Sequence, residues 1–150
     1  MVKTTNTLDA ILKKTKPDKI GEYLRENEES LLEAESPFAE YMRLHIRQKG
    51  LQQQEVFINA DMSEGYGYKI ISGEKHTRQR DTILRLCLGA HFDLEETQRA
   101  LKIYGMSPLY SRIPRDAALM VAFHNTIYDI PDVNALLKES GMTPLKGTQE

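Results

Sequence analysis

The stretch Leu51–Gly73, LQQQEVFINADMSEGYGYKIISG, decides how the chain is read. It parses as two short helices joined by a tight turn at Asp61–Ser63 and closed by a glycine, with apolar residues at helical spacing on both sides of the turn. Leu51, Val56, Phe57, Ala60, Met62 and Ile70 are expected on the buried side of this pair. Gln52, Gln53, Ser63, Glu64, Tyr66 and Lys69 are left available outside. Gly65 and Gly67 fall within the second helix, where each costs about 0.8 to 1.0 kcal/mol relative to alanine.

Helix signals continue outward from this stretch. Upstream, Ser36-Pro37 is a strong helix start, followed by Phe38, Tyr41, Met42, His45 and Ile46 as an apolar stripe of helical period that Gly50 ends. His45 on this stripe reads as a packed histidine, because no carboxylate or cysteine is placed in sequence to work with it. Downstream, Thr77 is expected to cap a helix carrying Ile83, Leu84, Cys87 and Leu88, and Asp93-Leu-Glu-Glu96 is a capping-box pattern opening a helix that runs to Gly105. Pro114 opens another helix, with Ala118, Leu119, Val121, Ala122 and Phe123; Asp129-Ile-Pro-Asp132 opens the last, with Val133, Leu136 and Leu137, closed by Gly141. At the N-terminus, a short helix follows Thr7 with Leu8, Ile11 and Leu12 on one face, and a second opens at Pro17 with Ile20, Tyr23, Leu24 and Asn27. The acidic run Glu26–Ser30 and the pair Leu31/Leu32 lead from there to Ser36, and no segment reads as a strand.

The C-terminal part repeats itself. Phe92–Leu109 aligns without gaps on Tyr128–Leu145, with seven of eighteen positions identical and the ending Gly-Met-Ser/Thr-Pro-Leu nearly unchanged. Upstream, Arg80-Asp81 matches Arg115-Asp116 with an offset of one residue, so each copy is a helical hairpin ending in the same Pro-Leu turn. Two copies are too few for a free-standing solenoid, and the hairpins are expected to lean on the central domain.

Composition narrows the classes. Apolar residues are 40% and charged residues 28% of the 150, the balance of a globular protein, and nothing approaches the roughly 20 consecutive apolar residues of a membrane span. The N-terminus lacks a sustained apolar core and a cleavage site, so a cytoplasmic location with no membrane association is expected. The single cysteine, Cys87, cannot form an internal disulfide and reads as a small core residue; His91 lies one turn away, but no second ligand pair accompanies it and no metal is expected. Net charge is −2, yet residues 36–90 hold eight Lys/Arg against six Asp/Glu while residues 1–35 and 91–150 each hold six against eight. The positive middle suits a segment that touches a few phosphates. No Ser/His/Asp set, carboxylate pair in an apolar run or phosphate-cradling glycine loop appears, so neither enzymatic activity nor a cofactor is expected.

A first helix from Pro37, a second from Gln52, the turn at Asp61–Ser63, a third helix to Ser72 and a fourth from Thr77 resemble, in order and length, the lambda-repressor-like (XRE/Cro-type) helix-turn-helix domains. The resemblance covers roughly residues 36–104 and is carried by Leu51, Gln53, Glu55, Val56, Ser63, Ile70 and Gly73. It implies an all-α chain of three parts: an N-terminal helical extension over residues 1–35, a five-helix DNA-binding domain over residues 36–104, and a helical hairpin region over residues 105–150 that completes the two repeats. It further implies that Gln53 binds a phosphate or braces the recognition helix, that Ser63 caps that helix, and that Lys69 and Lys75 lie along the DNA backbone. Glu64, Gly65 and Tyr66 would face base edges, and Gln52, His76 and Arg78 complete the expected interface. Glu64 departs from the family, since a carboxylate accepts from cytosine N4 but repels phosphate. Phe57 and Gly67 depart together: the family pairs a small residue with a large one, and here the sizes are exchanged, so Phe57 is expected to fill the space over Gly67.

The function so implied is a transcriptional regulator binding double-stranded DNA as a homodimer, with the C-terminal hairpins as candidate dimer surface. The competing reading is an adaptor with a degenerate helix-turn-helix that binds a protein through those hairpins or the acidic N-terminal extension.

Overall fold

In a computed structural model, which describes residues 2–31 and 36–148, the chain forms two compact units, Met1–Glu35 and Ser36–Glu150. Nine α-helices and no strand occur among the described residues, so the all-α class read from the sequence is the one adopted. In the first unit, α1 (Thr5–Lys14) is capped by Thr4, whose Oγ1 accepts from Thr7 N at 3.2 Å. Pro17 opens a single 3₁₀ turn, Pro17–Lys19, and the α-helix expected there begins only afterwards, as α2 (Ile20–Glu26). Tyr23 and Asn27 are buried, whereas Leu12, Ile20 and Leu24 are exposed. Leu32, of the expected pair Leu31/Leu32, lies outside the described residues.

The second unit comprises α3 (Pro37–Gln48), α4 (Gln53–Asn59), α5 (Glu64–Ser72), α6 (Arg80–Gly89), α7 (Leu94–Tyr104), α8 (Pro114–His124) and α9 (Ile130–Glu139). Its core runs without interruption from Phe38 to Leu145. At the centre is α6, buried at every residue from Asp81 to Gly89 and packed against α4 and α7. Gly89 permits this, because a Cβ there would come within 2.5 Å of the Val56 carbonyl oxygen. Thr77 does not cap α6. Its N–H donates to Tyr104 Oη at 2.9 Å and its Oγ1 accepts from Gln79 N at 3.1 Å, a local turn that delays the helix to Arg80.

Six helices end in one way. The N–H of Leu51, Met62, Phe92, Met106, Ile127 and Met142 reaches back to the carbonyl five residues earlier, at 2.8 to 3.2 Å, and an apolar residue makes the return each time. The residue before the return is left-handed: glycine at 50, 105 and 141, but Asp61 (φ 54°), His91 (φ 58°) and Thr126 (φ 53°) in the three tight hairpins α4–α5, α6–α7 and α8–α9. A β-branched residue is the worst fitted to this conformation.

The sequence repeat closes into a reciprocal clasp. Arg115 holds Asp81 with two bonds of 2.9 Å and also donates to the Thr143 and Pro144 carbonyls. Arg80 pairs with Asp116 and donates to the Ser107 and Pro108 carbonyls. Asp81 then accepts from Lys146 N at 3.0 Å, and Asp116 from Tyr110 N at 3.0 Å. Each Pro-Leu turn is thus held by the arginine of its own repeat and the aspartate of the other. Gln98 Oε1 accepts from Leu109 N, and Asn134 Oδ1 accepts from Leu145 N, at 2.7 and 2.8 Å, in equivalent positions of the two copies. Arg85, also buried, donates to the Ala60, Leu145 and Lys146 carbonyls, tying the end of α4 to the end of the second repeat.

His45 does have a carboxylate partner, contrary to the expectation from sequence. Its Nδ1 lies 3.2 Å from Glu96 Oε2, while Lys49 Nζ lies 2.7 Å from Glu96 Oε1, and together they join α3 to α7. Burial raises the Glu96 carboxyl, but the Lys49 and Asp93 hydrogen bonds and the Lys49 charge hold it below its ordinary pKa. Asp81 is likewise raised by burial and lowered further by Arg115 and the Lys146 N–H, with a net fall.

Two outcomes are expected. Both carboxylates bind protons less readily folded than unfolded, so their stabilisation is full above the unfolded carboxylate pKa of about 4 and is lost as pH falls through the lower folded values. Denaturant midpoints across pH 2–6 will therefore drop most steeply below about pH 4. Asp81→Ala will cost roughly 3 kcal/mol at neutral pH and blunt that acid limb; an unchanged limb contradicts the clasp's role. Thr126→Gly will stabilise the chain by roughly 0.5 to 1 kcal/mol, since relief of left-handed strain exceeds the added chain entropy, and a loss of stability would count against that strain.

Candidate nucleic-acid interface

The candidate site is α4, the turn after it and α5. At the entry, Gln52 N donates to Glu55 Oε1 at 3.2 Å, which starts α4 at Gln53. At the turn, Asp61 takes the left-handed position and Met62 N returns to Phe57 O at 3.0 Å, reversing the chain within four residues. Ser63 then caps α5 as expected, its Oγ accepting from Tyr66 N at 3.3 Å. Gly73, left-handed at φ 87°, ends α5.

The register of α5 decides what it offers to a partner. Glu64, Gly65, Tyr68, Lys69 and Ser72 are exposed and fall on one helical stripe, while Tyr66, Gly67, Ile70 and Ile71 are buried. Tyr66 is therefore corrected from an outward to an inward residue: it is only 7% exposed, with Lys75 Nζ 5.7 Å from its ring centroid. Tyr68, two residues on, takes the outward place at 41% exposure and was not singled out from the sequence. The signal for it was its spacing of four from Glu64, which puts the two on one face.

Phe57 does occupy the space over Gly67. A Cβ on Gly67 would lie 2.3 Å from Phe57 Cδ1, so a side chain cannot be added without displacing the ring. The ring also meets Tyr68 edge to face at 4.9 Å between centroids. Gly65 differs in kind, because a Cβ there would meet nothing within 4 Å.

Gln52 is exposed, but Gln53 is half-buried rather than outside. Its Oε1 is buried without a hydrogen-bond partner among the described residues, so it makes no bond to α5. Lys75, His76 and Arg78 are exposed on the segment between α5 and α6. Lys75 N donates to Lys69 O at 3.0 Å, folding that segment back on α5, and His76 stacks on Tyr104 at 4.6 Å with rings 5° from parallel. The structure thus groups Lys69 and Lys75 at the end of α5, Glu64 and Gly65 at its start, and Gln52 and Gln53 at the start of α4.

Other chemistry is sparse. Cys87 is fully buried and burial pushes its thiol up to about 12, so it is not a thiolate at neutral pH. His91 points elsewhere, stacking on Tyr128 at 4.9 Å. Among the described residues no three His, Cys, Asp or Glu side chains are grouped to hold a metal, and no helix is long and apolar enough to cross a membrane.

The two glycines should respond to alanine with opposite signs. Gly65→Ala will stabilise the chain by up to about 1 kcal/mol, whereas Gly67→Ala will cost about 1 to 3 kcal/mol. Phe57→Ala will cost about 3 to 5 kcal/mol, and adding Gly67→Ile will recover part of it in chemical unfolding. Additive losses in that double variant contradict the exchange of volume.

Compared with protein-family models, curated proteins and solved structures, the chain matches none.

Proposed function

We propose that this chain is a transcriptional regulator that reads double-stranded DNA with α5 in the major groove. One observation carries the reading: α5 commits one stripe to the core and leaves Glu64, Gly65, Tyr68, Lys69 and Ser72 on the other, exposed and flanked by Lys75, His76 and Arg78. A helix fits the major groove, about 12 Å wide, and lysines at its edge meet phosphates. Tyr68 replaces Tyr66 as the aromatic facing the bases. The repressor-like helix-turn-helix resemblance is consistent with this assignment and supplies its frame.

A single recognition helix covers one half-site. A homodimer is therefore part of the proposal, placing two copies of α5 about 34 to 36 Å apart on one face of the duplex. The C-terminal hairpins supply a surface for it, because Tyr110, Ile113 and Val121 are exposed at and along α8. The same exposed apolar residues favour the second reading, an adaptor that binds another protein and not DNA. No cofactor or catalysis is involved, and the protein would act in the cytoplasm.

Titration of a random-sequence duplex at increasing salt separates the two. A regulator neutralising several phosphates loses affinity with a log-log slope of about −0.9 per phosphate, and Lys69→Gln or Lys75→Gln will each reduce that slope by about 1. Absent binding at low salt, or a flat slope, contradicts the DNA reading and leaves the adaptor.

A further inference from the structure

The reciprocal clasp borders a cleft of about 340 Å³ lined by Arg78, Gln79, Arg80, Asp81, Arg115, Thr143 and Lys146. Its charge is lopsided. Arg80 is matched by Asp116 and Arg115 by Asp81, but Arg78 and Lys146 have no carboxylate partner among the described residues. The two unmatched cations come from distant parts of the chain, one before α6 and one after α9, and are brought to the same cleft by the clasp that fixes Lys146 N on Asp81. Like charges on one concave surface repel one another, and the carboxylate that lines the cleft among the described residues, Asp81, is already engaged by Arg115 and the Lys146 N–H.

A larger cavity between α4 and α9, about 770 Å³, makes the contrast. It is lined by Asp61 and Asp129 as well as Arg85 and Lys138, two charges of each sign, and so has no preference for an anion.

We propose that the clasp cleft binds a phosphate group, with Arg78 and Lys146 as its cationic ligands and the paired Arg80 and Arg115 as fixed walls. The preference for phosphate over a single carboxylate follows from charge: two unmatched cations suit a phosphomonoester dianion or two neighbouring phosphodiester monoanions. Two sources offer that group, a free phosphorylated small molecule or the backbone of the DNA that α5 is proposed to read. Both fit a cleft that opens beside Arg78, on the segment leading from α5.

The test has two arms and uses the full chain with the single variants Arg78→Gln and Lys146→Gln, whose side chains make no ion pair among the described residues. In the first, thermal midpoints are measured with pyrophosphate and with sodium chloride at equal ionic strength. A rise of several degrees specific to pyrophosphate, lost in both variants, establishes the cleft as a free-anion site, and it does so even if the chain binds no DNA. In the second, the salt dependence of binding to a random-sequence duplex is compared between the wild type and Lys146→Gln. A slope smaller by about 0.9 without a pyrophosphate effect assigns the cleft to the DNA backbone. No pyrophosphate-specific rise together with an unchanged slope, or with no DNA binding at all, overturns the proposal. Wild-type binding with an unchanged slope leaves the reading of α5 standing.

Discussion

A helix with no exposed face must meet every neighbour at a fixed distance, and α6 is such a helix. From Asp81 to Gly89 each residue is buried, including two charged ones, so α6 can be placed only where α4, α7 and the repeat turns supply both packing and hydrogen-bond partners. Gly89 sets the tightest of these distances, with the Val56 carbonyl where its side chain would be. Asp81 and Arg85 set the polar ones, each tied to the segment at Leu145 and Lys146. Buried ionic groups gain little net stability over apolar ones of equal volume, but removing one partner is costly. The clasp therefore fixes one arrangement of the hairpins more than it strengthens them.

That constraint passes to the helix pair in front of it. α4 is anchored on α6 at Gly89, by Asn59 donating to the Gly89 carbonyl at 3.0 Å, and by Arg85 at its last turn. α5 is weak by composition, with two glycines in nine residues. It is held by Phe57 from the rigid partner, by the Ser63 cap and by the burial of Tyr66, Ile70 and Ile71. The result is a first helix fixed on α6 carrying a second whose outward stripe touches the core only where Tyr68 meets the Phe57 ring. Rigidity lies in the scaffold and chemistry in the exposed stripe, an arrangement suited to recognition.

Much of the fold was legible because its signals are local. Ser36-Pro37, Ser63, the Asp93–Glu96 box and the glycines at 50, 73, 105 and 141 mark helix ends that the structure reproduces within a residue or two. The left-handed positions at Asp61, His91 and Thr126 were not legible, since none is glycine; only the apolar residue after each hints at the turn. The offset Arg-Asp pairs were visible as a repeat, but their crossing was not, because pairing across 34 to 36 residues is set by how the hairpins pack. The His45–Glu96 contact, 51 residues apart, was hidden for the same reason. Tyr66 belongs inside because it stands four residues before Ile70, on the stripe that α5 buries with Gly67 and Ile71, whereas its aromatic neighbour Tyr68 falls on the exposed side.

The central claim is that α5 is a reading head, with two copies acting on one duplex. Selection of bound sequences from a random duplex pool tests it most directly, since it reports binding, base preference and symmetry together. The account predicts enrichment of an inverted repeat whose half-sites are centred about 10 to 10.5 base pairs apart, or a multiple of that, with preference lost in Lys69→Gln/Tyr68→Ala. A pool that emerges without enrichment, or with the same enrichment in that variant, would contradict it.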